Sequence, residues 1–137
     1  MNNFAVTVAW ILAALFLGTA VLGFVPNPLL GKNAFFVTNV AHDLVHLASA
    51  VGFIVVAVLG EKAAVWFMQV FGVFHISIGL IGFMTLGPQS EGHLLNIIHI
   101  NSFDNFLHLG SGILIVAAGW ILRSYQHRFI FAHRRQV

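Results

Sequence analysis

Apolar residues run through this chain in four long blocks separated by short polar stretches. The blocks extend from about Phe4 to Val25, Val40 to Gly60, Ala64 to Leu86 and Phe103 to Leu122. Each is long enough to cross roughly 30 Å of hydrocarbon as a helix. Only a helix or a closed barrel satisfies its backbone polar groups where water is missing. The first block has no cation ahead of it and is longer than the apolar core of a cleaved leader, so it reads as a retained span. The predicted fold is all-α: an integral membrane four-helix bundle in a single domain over residues 1–137.

Two of the blocks open on one polar pattern. Asn39-x-x-His42-Asp43-x-x-His46-Leu47 and Asn101-x-x-Asp104-Asn105-x-x-His108-Leu109 align without a gap, and small residues follow both, Ala48-Ser49-Ala50 and Gly110-Ser111-Gly112. Gly23-Phe24, closing the first block, matches Gly82-Phe83, closing the third. These matches predict a helical hairpin used twice, over about 4–60 and about 64–122, followed by a basic tail at 123–137. A unit with an even number of spans keeps its direction when repeated. The two parallel hairpins are therefore expected to relate by a pseudo-two-fold axis along the membrane normal, with both polar motifs at one depth. Positions i, i+3, i+4 and i+7 share one helix face. Asn39, His42, Asp43 and His46 are expected to face one way, and Asn101, Asp104, Asn105 and His108 likewise.

Composition narrows the classes. Hydrophobic residues make up 59% of the chain and charged residues 7%, against about a quarter charged in a soluble domain. Lipid is the expected solvent for this surface. The net charge is only +2, without a basic cluster interleaved with aromatics, so nucleic acid is not an expected partner. With no cysteine there are no disulfides, thiolate metal sites or covalent haem attachment. No nucleophile lies at a plausible spacing from a base, and no enzymatic activity is expected. Lys62, Arg123, Arg128, Arg134 and Arg135 fall on one side of a four-span arrangement and Lys32 on the other. The positive-inside rule places both termini in the cytoplasm of a cell whose inner membrane holds the protein. Trp10, Trp66 and Trp120, near the same ends of their spans, fit an aromatic belt at that interface.

The paired motif admits several chemistries. Asn39 and Asn101 stand where helix N-caps belong, and Asp43 and Asp104 lie near first turns, where the helix dipole favours negative charge. In that reading the histidines only hydrogen-bond across the bundle. A second reading places His42, His46, Asp104 and His108 around a divalent metal such as zinc. A third makes His46 and His108 axial ligands of a haem or chlorophyll, with Ala50 and Gly112 leaving room for the macrocycle. A fourth is a proton or solute path, against which the inner halves of the spans read as wholly apolar. His75, inside the third span opposite Phe16 of the first, is expected to be a packing residue. Glu91, His93, Asn96 and His99 lie in the outer loop, where Gly92 to Ile100 is expected to form a short interfacial helix.

The doubled motif in a four-span chain of this length resembles the bacterial family called domain of unknown function 4383, over about Val6 to Leu122. Asp43 stands where that family's pattern has Asn. The resemblance implies a small integral membrane protein without assigned chemistry. The expected role is a non-enzymatic structural or accessory subunit of a larger membrane complex, or a self-associating protein. The alternative is a cofactor-binding membrane protein.

Overall fold

The computed structural model describes residues 3–88 and 91–134, with side chains as far as Tyr125. Among the described residues are four helices: α1 Phe4–Phe24, α2 Val40–Leu59, α3 Glu61–Leu86 and α4 Ser102–Arg134. All are long and apolar enough to cross a membrane. The fold is the expected all-α membrane bundle, and the protein is a multi-pass membrane protein in contact with lipid. Short strands occupy the two longer connections. β1 Leu30–Gly31 pairs in parallel with β2 Phe36–Val37, and β3 Gly92–Leu94 pairs antiparallel with β4 Ile98–Ile100.

The second connection corrects the expectation of an interfacial helix over Gly92 to Ile100. Within each three-residue strand a histidine stands between non-polar neighbours, Gly92-His93-Leu94 and Ile98-His99-Ile100, which suits the two-residue repeat of a strand. Leu94 and Ile100 are buried, whereas His93 and His99, which are cross-strand partners, face the other way. Along the basic tail, α4 continues to Arg134 without a break. The side chains of the tail beyond Tyr125 lie outside those described.

α1 packs chiefly on α2, and α3 on α4. Ala5, Ala9, Ala13, Phe16 and Ala20 form one buried face of α1, and their helical spacing lets the backbone of α2 come close. The α3–α4 seam is closer still. A Cβ at Gly72 would stand 2.6 Å from the Val116 nitrogen, and one at Gly112 would stand 2.7 Å from the Ile76 nitrogen. Small residues at such seams drive helix association in lipid, where no hydrophobic force operates between helices. Phe16, Phe53 and Phe71 bring α1, α2 and α3 together in the centre, with ring centroids 4.9–5.6 Å apart. Where α1 and α3 begin, the Glu61 carboxylate accepts the Ala5 N–H at 3.2 Å, filling one of the free donors of a helix N-terminus.

Two glycines seat the polar motifs. A side chain at Gly23 would overlap the Asp43 carboxyl, and one at Gly82 would overlap the Asn105 amide. Each motif thus packs its fifth residue onto the backbone of the preceding helix.

Candidate functional site

The chemistry gathers where α2 and α4 begin. Asn39 caps α2 by accepting the His42 N–H at 3.0 Å, and Asn101 caps α4 by accepting the Asp104 N–H at 3.0 Å. Asp104 Oδ2 accepts the Asn101 N–H in return at 2.9 Å, closing a reciprocal capping pair. Position 42 holds histidine, so α2 has no such return bond from a carboxylate.

Each cap also reaches across to the other hairpin's connection. Asn39 Nδ2 donates to the Ile97 carbonyl at 2.8 Å, and Asn101 Nδ2 donates to the Phe35 carbonyl at 2.9 Å. Each acceptor stands four residues before the other motif's asparagine. The next motif residues cross over too. His42 Nδ1 donates to the His99 carbonyl at 2.9 Å, while Asp104 Oδ2 accepts the Val37 N–H at 3.1 Å. Histidine offers a proton where aspartate offers a lone pair, so equivalent places bind the carbonyl in one half and the amide in the other.

The four-residue stripe therefore divides its labour. Its first residue caps, its second clamps the opposite connection, and its third packs on glycine. The fourth, His46 or His108, faces the bundle interior. Asp43 is 2% exposed and Asn105 is 0% exposed. Asp43 Oδ1 and both polar atoms of the Asn105 amide have no hydrogen-bond partner among the described residues.

The inward histidines converge. Among the described residues, His42, His46 and His108 form a group in which each offers a ligand nitrogen, all within 4.8 Å of one another. Ring centroids are 4.6 Å apart for His42–His46, 5.6 Å for His42–His108 and 6.4 Å for His46–His108. All three rings are buried. His108 Nδ1 donates to the Asp104 carbonyl at 2.7 Å, as His42 Nδ1 does to His99. With Nδ1 protonated, the free lone pair of each of these two rings is on Nε2. His42 Nε2 and His46 Nδ1 are buried without a hydrogen-bond partner among the described residues.

Of the four residues expected around a metal, the structure brings three together. Asp104 spends Oδ2 on the Val37 and Asn101 amides and is not in the convergent group. The His42 ring lies beside the His46–His108 pair that a macrocycle would use, its centroid 4.6 Å from that of His46 and 5.6 Å from that of His108. The small residues invoked for it take part in helix packing. Gly112 lies against the α3 backbone, and Ala50 is buried in the apolar core.

His75, read from sequence as packing, stands beside the group. Its ring centroid is 4.8 Å from that of His108, and its Nδ1 donates to Ser111 Oγ at 3.1 Å. The Ser111 hydroxyl proton goes to the Leu107 carbonyl at 2.6 Å. Phe16 touches His46 and His75 edge-on or tilted, with centroids 6.0 and 5.4 Å away, and so floors the site. In the sequence His75 stood out as a lone histidine inside a span, opposite Phe16, and that position alone does not show that a side chain turns inward. Below the site the core cluster is apolar, and Gln69 lies beside it with a buried Nε2 that lacks a partner among the described residues. The expectation of wholly apolar inner halves missed that residue.

A family model described as domain of unknown function (DUF4383) matches residues 6–121. No curated protein and no solved structure matches the chain.

Proposed function

The chain belongs to the DUF4383 family, and on that premise we propose that it is a metal-binding protein of the membrane. His42, His46 and His108 hold one divalent transition-metal ion inside the extracytoplasmic end of the bundle. The observation that carries this reading is the convergence of three buried imidazoles with ligand nitrogens within 4.8 Å of one another. Two of them give their second ring N–H to a main-chain carbonyl, the outer-shell support that fixes ligating histidines elsewhere. Imidazole suits zinc, copper, nickel and iron, whereas magnesium and calcium take oxygen ligands. Three protein ligands leave a tetrahedral ion one open position, which His75, water or an incoming ligand can take. The role is binding rather than catalysis.

The setting follows the same reading. The protein lies in the cytoplasmic (inner) membrane with both termini in the cytoplasm, on the strength of the Lys and Arg asymmetry. Its two hairpins are copies of one unit. Support comes from the matched pairs Asn39–Ile97 and Asn101–Phe35, and from Asp43 on Gly23 and Asn105 on Gly82.

Elemental analysis of the protein purified in mild detergent tests the proposal. At least one tightly held metal per chain is expected, and a His46→Ala, His108→Ala double variant should lose that tightly held ion. A metal-free protein that also refuses added Zn2+ or Co2+, and purifies in fixed ratio with larger membrane subunits, would make it a structural accessory instead.

A further inference from the structure

We infer that the outward face of the β3–β4 hairpin is a second divalent-metal site, formed by His93, His99 and Glu91, which hands its ion to the buried histidines. His93 and His99 are cross-strand partners, and their rings lie face to face, centroids 4.4 Å apart and 4° from parallel. Opposed residues on antiparallel strands hold their Cβ atoms about 4.5–5.5 Å apart. In the stacked arrangement the rings face each other, and both must turn their nitrogens toward a common point to hold one ion at about 2.0–2.1 Å. Glu91 brings a carboxylate, with Oε1 at 3.1 Å from His99 Nε2. Two imidazoles and one carboxylate form a known zinc ligand set with a free coordination position.

Exposure orders the two sites. His93 and Glu91 are exposed, whereas His42, His46 and His108 are buried. An ion from the aqueous phase on that side of the membrane meets the hairpin first.

The hairpin is built to keep this pair in register. Leu95 and Asn96 turn the chain at φ 54° and 60°, and the Ile97 N–H closes the turn on the Leu94 carbonyl at 3.1 Å. Side chains rarely accept this left-handed backbone. The strained turn sets His93 opposite His99.

His99 also joins the two sites. Its side chain belongs to the outer pair. Its main-chain carbonyl accepts from His42 Nδ1 at 2.9 Å, and its N–H donates to Asn39 Oδ1 at 3.3 Å. The outer group therefore sits one residue away from a ligand of the inner group. Only the hand-over rests on the three-histidine reading; the outer site stands without it.

The test is calorimetric titration of the full-length, chelator-stripped protein in detergent with Zn2+, alongside stopped-flow filling followed with a zinc-sensitive dye. The wild type should show two sites of unequal affinity. His93→Ala, His99→Ala should lose the weaker site, keep the tighter one and fill it more slowly, because alanine at 99 preserves the carbonyl that holds His42. His42→Ala, His46→Ala should lose the tighter site and keep the weaker. Equal stoichiometry in the wild type and the outer double variant would overturn the outer site, and an unchanged filling rate would overturn the hand-over. A tight site surviving in the inner variant would instead sink the three-histidine reading alone. Glu91→Gln and His93→Ala, single changes of exposed side chains, keep the test decisive if the double variant fails to fold.

Discussion

Replacing Gly72 with alanine adds one methyl group at the closest point of the α3–α4 seam. That methyl would meet the Val116 nitrogen at 2.6 Å and the Gly112 oxygen at 2.8 Å, where ordinary contact begins at 3.4 Å. Both obstacles are main chain, so no side chain can swing aside and the helices must part by most of an ångström. Overpacking of this kind costs about 1–3 kcal/mol. Gly110 supplies a control on the same seam's partner helix, since a Cβ there meets nothing within 4 Å. Gly110→Ala should stay within about 1 kcal/mol of the wild type, on the stabilising side, because alanine has less backbone entropy to lose. The assay is reversible unfolding in mixed micelles followed by circular dichroism, with the two variants measured beside the wild type. Since α4 carries His108, Gly72→Ala should also weaken Zn2+ binding, while Gly110→Ala leaves it unchanged. Equal unfolding midpoints for the two variants would refute the argument that backbone contact at Gly72 holds the hairpin shut.

The remaining expectations are brief. Asn39→Ala and Asn101→Ala should each cost about 1–2 kcal/mol on the same assay, because each loses a helix cap and frees a connecting loop from its clamp; unchanged midpoints for both would count against the clamp. Gly82→Ala should destabilise by about 1–3 kcal/mol through the Asn105 amide, and an Asn105→Ala partner substitution should recover part of the loss. Leu95→Gly should raise stability by about 1 kcal/mol, because glycine takes a left-handed turn freely; a fall would show that the Leu95 side chain is needed where it stands. A reporter fused after Val137 should be active only in the cytoplasm, and periplasmic activity would reverse the orientation.

The spans were legible because lipid imposes one simple demand, a long apolar helix, and the four blocks of this chain meet it directly. The caps at Asn39 and Asn101 were legible for a similar reason, being local and dependent only on residue type and position. The division of the motif stripe was not. Helical spacing places Asp43 and His46 on a common face, but it does not say that a glycine on α1 takes one while the bundle centre takes the other. The Gly92 to Ile100 hairpin was hidden behind the neighbouring apolar blocks, because its strands are only three residues each and the Leu94-Leu95 and Ile97-Ile98 pairs break any longer alternation. Asp104 and His42 align in the motif and differ in chemistry. Their contrasting use, an acceptor for Val37 and a donor to His99, emerged only once the two connections crossed over the bundle.

The account turns on whether three imidazoles share one ion. X-ray absorption at the metal edge, on the His93→Ala, His99→Ala protein loaded with one equivalent of Zn2+, asks this with the outer pair removed. A shell of three imidazole nitrogens at about 2.0–2.1 Å is the predicted result. A protein that retains no zinc, or a spectrum showing only oxygen ligands, would contradict it.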